Sequence, residues 1–152
     1  MDNREVINDV LVNLFNEILR LEEEAIITDK YKDISNNDMH IIEAVGLGGG
    51  NMSSIAAKLK ITVGSLTTSM NSLVKKGYVK RERGEEDRRV VYISLSDKGK
   101  KAFVHHARFH KEMITSIMDE FDDDEKKILI RGLTKLDNWF KNKEEENKKN
   151  RE

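Results

Sequence analysis

Residues 58–101 read KLKITVGSLTTSMNSLVKKGYVKRERGEEDRRVVYISLSDKGKK. The stretch parses as the end of one helix, a second helix closed by Gly77, and a hairpin tipped by Asp87, Arg88 and Arg89. It holds 12 Lys or Arg against 5 Asp or Glu, while the rest of the chain holds 15 against 23. A segment near +7 is therefore joined to a remainder near −8, and the formal net charge of −1 conceals the separation. A cationic face gathered onto a small module is the footprint expected where phosphates are neutralised.

The hydrophobic period changes within the stretch. Thr62 is placed to cap a helix running to Lys76, with Val63, Leu66, Met70 and Leu73 on one side and Gly64, Ser65, Thr68, Asn71, Ser72 and Lys75 on the other. Those outward residues are short donors and acceptors rather than the Glu and Lys of an ordinary solvated helix, which suits approach to base edges in a major groove. After Gly77 the period becomes two. Val79 opens one strand, Val91, Ile93 and Leu95 alternate along another, and Gly84 to Asp87 form the tip. Arg81, Arg83, Arg88 and Arg89 crowd that short loop, and arginine is favoured in the negative potential of a narrow minor groove. Glu85, Glu86 and Asp87 oppose this, so Asp87 is expected to orient an arginine. The bland alternative is a surface hairpin of ion pairs with no partner.

Upstream, Asn51 is suited to cap a short helix through Ile55, Ala56 and Leu59, and Ser35 with Asp38 forms a capping-box pattern for a helix through Met39, Ile42 and Val45, ended by Gly46 and a turn at Gly48, Gly49 and Gly50. Ile7, Val10, Leu11, Leu14, Ile18, Leu21 and Ala25 share one stripe of a long amphipathic helix from about Glu5 to Ile27. So much apolar surface favours packing against a second subunit; a plain core helix within one chain is the alternative. Downstream, Ser96 and Asp97 begin a fifth helix, and Asp122 with Glu125 a sixth through Leu129, Leu133, Leu136 and Phe140. From Lys143 onward only charged and amide residues follow, so 143–152 is expected to be a disordered tail.

The 152 residues suit one domain of ordinary size. No apolar run approaches the length of a membrane span, and Asp2, Arg4 and Glu5 leave no apolar core for a signal peptide, so a soluble cytoplasmic protein is expected. Cys and Pro are both absent. The first absence excludes disulfides, thiol nucleophiles and thiolate metal sites; the second obliges helix ends to be written in caps and glycines. Enzyme readings find little support. His106-Ala107-Arg108-Phe109-His110 lacks a metalloprotease glutamate, Gly48-Gly49-Gly50 follows a helix rather than a strand, and no phosphate loop occurs. A purely structural coiled coil would not need a hairpin bearing four arginines.

Asp87-Arg88-Arg89-Val90-Val91-Tyr92-Ile93-Ser94-Leu95-Ser96-Asp97-Lys98-Gly99 resembles the wing signature of MarR-type winged-helix regulators. The resemblance implies a mainly α fold with a small β-wing: one domain over 1–142, with a winged helix-turn-helix head over about 33–96 and dimerisation helices over about 5–28 and 96–142. It further implies a homodimer whose two heads read a pseudo-palindrome in double-stranded DNA. Ser65, Thr67, Thr68, Asn71 and Lys75 would make the groove contacts, Arg83, Arg88 and Arg89 the wing contacts, with Asp87 orienting, and Arg89 would enter the minor groove. Within the family the likeness is to the repressors of fatty-acid biosynthesis in Gram-positive bacteria. It is carried by Lys32-Asp33-Ile34-Ser35 with Met39-His40, by Thr62-Val63-Gly64 with Thr67-Thr68-Ser69, by the wing, and by His106 with Arg108-Phe109-His110-Lys111 and Met113. The Gly46 to Gly50 turn and the longer charged tail depart from that pattern.

Three readings of the fifth-helix histidines stay open. Phe103, Ala107, His110, Ile114, Ile117 and Phe121 form one stripe with His106 at its edge. Such imidazoles most commonly make satisfied core or interface hydrogen bonds. In the second reading, Met39, His40, Phe103, His106, Phe109 and His110 line or gate an apolar tunnel for the chain of a long-chain acyl-acyl carrier protein acting as corepressor, with Arg108, Lys111, Lys100 and Lys101 offering charge to the acidic carrier. In the third, His40, His106 and His110, with Glu23 or Glu24, hold zinc, as in zinc-responsive members of the family.

Overall fold

The computed structural model describes residues 2–26 and 30–151. Six helices and three short strands follow one another among them: α1 (Asn3–Ile26), α2 (Asn36–Val45), β1 (Gly50–Asn51), α3 (Met52–Leu59), α4 (Val63–Lys76), β2 (Val79–Arg83), β3 (Val91–Leu95), α5 (Asp97–Asp119) and α6 (Asp123–Lys149). The mainly α architecture with a small sheet is the winged helix-turn-helix expected from the sequence. The chain divides into two compact units, Met1–Phe109 and His110–Glu152. The first unit includes the winged head and α1, and α5 runs through the boundary.

Local chemistry sets most element ends. Ser35 and Asp38 form the expected capping box on α2, Ser35 Oγ accepting from Asp38 N at 3.1 Å and Asp38 Oδ2 from Ser35 N at 3.1 Å. Asn51 caps α3 by accepting from Ser54 N at 2.8 Å, Thr62 caps α4 by accepting from Ser65 N at 3.1 Å, and Asp122 with Glu125 completes a second capping box on α6. Each of these satisfies an amide that would otherwise lack a partner, worth about 1 kcal/mol. Gly77 closes α4.

The head is organised around the buried side of α4. Leu66, Met70 and Leu73 pack with Ile42, Ile55, Tyr78 and Ile93, each of the α4 residues contributing roughly 1.5–3 kcal/mol through removal from water. β2 and β3 pair antiparallel from Val79 opposite Leu95 to Arg83 opposite Val91. β1, which the sequence reading misses, pairs along the other edge of β3, Gly50 opposite Ile93 and Asn51 opposite Tyr92. Gly49 makes that third strand possible: its φ is +68°, and a Cβ there would lie 2.6 Å from the Ile93 carbonyl oxygen. Gly99 plays the equivalent part at the start of α5, where a Cβ would fall 2.0 Å from the Tyr78 carbonyl oxygen.

Of the two readings of the first helix, the core helix within one chain is the one set aside, because Ile7, Val10, Leu14 and Phe15 are each more than half exposed and only Glu22 and Ile26 of α1 are buried. The end placed at Ile27 or residue 28 lies outside the described residues. Two expectations need correction. The tail expected to be disordered from Lys143 instead continues α6 to Lys149, since Lys141–Asp137 (2.6 Å), Lys143–Glu146 (2.9 Å) and Lys148–Glu144 (3.5 Å) pair at helical spacing, Lys148 and Lys149 sit favourably at the negative end of the helix dipole, and no Pro or Gly interrupts. On α5, Ala107, Ile114 and Ile117 of the expected inward stripe are exposed, whereas Phe103 is half-buried and His106 buried. No described helix is long and apolar enough to cross a membrane.

Candidate nucleic-acid interface

α4 presents Ser65, Thr68, Asn71 and Lys75 to solvent, and Thr67 is half-buried. Val63, placed on the packing side by the helical wheel, is instead 45% exposed; as the first residue of α4 it stands beyond the core that Leu66 begins. Not every hydroxyl on this face is at liberty. Thr62 Oγ1 lies 3.0 Å from Ser65 Oγ, and Thr67 Oγ1 donates back to the Val63 carbonyl at 2.8 Å, leaving its oxygen to accept.

The wing is rigidified at its tip by backbone bonds, Gly84 N to Val90 O at 2.8 Å and Val90 N to Asp87 O at 3.1 Å. Asp87 forks onto Arg89, Oδ1 accepting from Nε and Oδ2 from Nη2, each at 3.0 Å, while Oδ1 also accepts from the Arg89 backbone N–H at 3.0 Å. These bonds hold the Asp87 carboxyl below the usual carboxylate range and push the Arg89 guanidinium higher still, so the pair stays charged. Arg89 nevertheless keeps 91% of its side chain exposed, so it is aimed but not covered. Arg83 Nη1 reaches the Arg88 carbonyl at 3.4 Å, and Arg88 is exposed.

Between the start of α4 and the wing lies a cleft of about 870 Å³ lined by Val63, Thr67, Arg81, Arg83, Asp87 and Arg89 together with Asn51, Met52, Ser53, Val90 and Val91. A short polar helix face on one side and a fork-held arginine on the other present two contact points of the kind that sit in adjacent grooves of a duplex. Arg81, left out of the expected contact set, bridges the two: its Nη2 donates to Asn71 Oδ1 at 2.7 Å. Nothing local signals that bond, since the residues belong to different elements.

The residues expected to meet an effector are placed less uniformly. Met39 is in the core of the head and Phe103 packs against it, but His40 is exposed on the surface of α2. His106 is 2% exposed, its Nε2 lies 2.8 Å from Glu43 Oε1, and its ring stacks on Phe109 at 6.4 Å between centroids. Arg108 and Lys111 are exposed, and His110 is half-buried in the second unit. Glu43 and His105, whose Nε2 lies 3.2 Å from the Ala25 carbonyl, were not singled out by the sequence. Their partners are remote along the chain, so periodicity carries no trace of them.

Comparison with known proteins decides the family. The pattern described as transcriptional regulator SarA/Rot matches residues 24–105, more than half of the chain and all of the winged head. The chain belongs to the SarA/Rot, MarR-like family of winged-helix transcriptional regulators. A crystal structure of Streptococcus pneumoniae FabT in complex with DNA superposes with a TM-score of 0.88 at 37% identity, covering 92% of this chain and 99% of that one. Transcriptional regulator ZitR of Lactococcus lactis is 26% identical over 111 residues, 71% of this chain and 77% of ZitR. The Bacillus subtilis regulator YwhA is 27% identical over 89 residues, 59% of this chain and 64% of YwhA. This SarA/Rot protein is thus a DNA-binding transcriptional regulator, and its relatives are regulators rather than enzymes.

Proposed function

We propose that this SarA/Rot-family protein is a homodimeric repressor of fatty-acid-biosynthesis genes that binds a pseudo-palindromic operator, with long-chain acyl-acyl carrier protein as corepressor. The observation that carries the reading is the likeness to FabT along nearly the whole chain, at an identity well above that of a shared fold alone. Base contacts come from Ser65, Thr67, Thr68, Asn71 and Lys75, and wing contacts from Arg83, Arg88 and Arg89, with Asp87 holding Arg89 on its path. The exposed apolar stripe of α1 supports pairing with a second copy, since so long a row of aliphatic side chains is not left in water by a stable monomer.

Exposed Arg108, Lys111, Lys100 and Lys101 on α5 favour an acidic carrier protein. Each methylene buried from an acyl chain contributes about 0.8 kcal/mol, so a long chain has free energy enough to bias one spacing of the two heads over another. Gel-shift titration of promoters of lipid-synthesis genes, with and without long-chain acylated carrier, tests this. Tighter binding with the acylated form supports the corepressor; indifference to it removes the corepressor and leaves the DNA-binding regulator.

A zinc-responsive repressor using His40, His106 and His110 is the second reading, favoured by the burial of the His106 imidazole beside the Glu43 carboxylate, a nitrogen and oxygen pair of the type zinc accepts. Stoichiometric metal in the purified protein, lost on His106→Ala, supports it. Metal-free protein with full operator binding removes it.

A further inference from the structure

Asn71 stands at the middle of the exposed face of α4, one turn after Thr67 and one turn before Lys75. Its Oδ1 accepts from Arg81 Nη2 at 2.7 Å, a bond between the reading helix and the first wing strand. A guanidinium only donates, so this contact tells the two ends of the carboxamide apart. The oxygen belongs to β2, and the Nδ2 amino group is the end available to another partner. An unrestrained asparagine pairs with adenine through both ends, donating to N7 and accepting from the N6 amino group. With one lone pair of the oxygen engaged and the carboxamide turned toward β2, the amino group is the end presented to a base, and guanine matches it better, with N7 and O6 acceptors side by side where adenine sets its own N6 amino group beside N7.

We infer that Arg81 is a positioning residue that turns the Asn71 carboxamide so that its amino group leads, and so selects guanine over adenine at one position of each half-site. This rests on the base-reading role proposed for α4 and adds the base edge that α4 recognises there. Arg81 acts through Asn71, not by touching the base.

The test is selection from a randomised duplex library, followed by titration of the selected site and its single-base variants with wild-type protein and the Arg81→Met, Arg81→Lys and Asn71→Asp variants. Both residues are exposed, and thermal melts establish that the variants fold. Asn71→Asp keeps the acceptor for Arg81 and lacks the donors, so the position whose preference it abolishes marks the contact. At that position the wild type selects guanine. Arg81→Met lowers the guanine-to-adenine ratio by roughly threefold or more, the worth of one hydrogen bond, and Arg81→Lys, which retains a cationic donor, restores part of it. Uniformly weaker binding to all duplexes by Arg81→Met, with base preferences intact, would make Arg81 a plain phosphate contact and overturn the inference. So would adenine at the marked position, or no position altered by Asn71→Asp. If the wild type itself enriches no sequence, base reading by α4 falls and takes this inference with it, a failure visible before any variant is assayed.

Discussion

Tyr78 donates its phenolic proton to Asp33 Oδ1 at 2.6 Å, tying the loop before α2 to the base of the wing. Burial, then the bond to Asp33, push the Tyr78 hydroxyl above its ordinary range, and the same bond, with the charge of Lys98 nearby, holds Asp33 below its own. Because the folded Tyr78 keeps its proton longer than a free tyrosine, its contribution is complete below about pH 10 and is lost as pH rises beyond that value. Asp33, depressed in the fold, contributes above about pH 4 and loses that contribution as pH falls through its lowered value. Tyr78→Phe is expected to cost about 1–2 kcal/mol at neutral pH by leaving the Asp33 carboxylate without its donor. Urea midpoints across pH should show the gap between variant and wild type shrinking at both extremes; a gap that does not change with pH would contradict the assignment.

The fork between Asp87 and Arg89 makes a second expectation. Arg89→Ala should weaken operator binding on the order of tenfold to a hundredfold with an unchanged melting temperature, because its side chain covers nothing. Asp87→Asn should weaken it less, since the arginine survives and only its aim is lost. Fluorescence anisotropy on one operator fragment ranks the two, and the reverse ranking would show that Asp87 does more than orient.

Salt separates phosphate contacts from base contacts. The logarithm of affinity should fall linearly with the logarithm of salt concentration, and Arg83→Ala or Arg88→Ala should each reduce the slope by about one. Thr68→Ala should lower affinity for the preferred site while leaving the slope alone.

At the exposed stripe of α1, Leu14→Arg is expected to convert the protein to monomer and to cost most of its operator affinity, because two half-sites are no longer bound together. Sedimentation at several concentrations reads this directly. A wild type that sediments as monomer throughout would end the proposal of a dimer.

Gly99→Ala puts a methyl group 2.0 Å from the Tyr78 carbonyl oxygen, and a backbone neighbour cannot step aside as a flexible side chain would. A loss of about 3 kcal/mol or more is expected in thermal or urea unfolding. A small loss would mean that the first turn of α5 repacks freely.

What could be read in advance divides by range. The caps at Ser35, Asn51, Thr62 and Asp122 were legible because each is a side chain bonding an amide two or three residues away. The buried row Leu66, Met70 and Leu73 was legible through helical period, and the exposed row through its composition. β1 was not, since two residues have no period and owe their conformation to β3, some forty residues onward. Nor were the pairs Arg81–Asn71 and His106–Glu43, which exist only once the chain has folded. The charged end of α6 misled because composition without apolar residues reads as unfolded, while lysines and carboxylates spaced by three and four sustain a helix.

Tyr78 gathers more than the acid–phenol bond. Its carbonyl accepts from Ser96 N at 3.0 Å, Gly99 rests against that same oxygen, and the Lys98 ammonium lies 4.3 Å from the centre of its ring. The root of the wing and the first turn of α5 therefore share a single anchorage, and a change at that one residue acts on the hairpin and the long helix together.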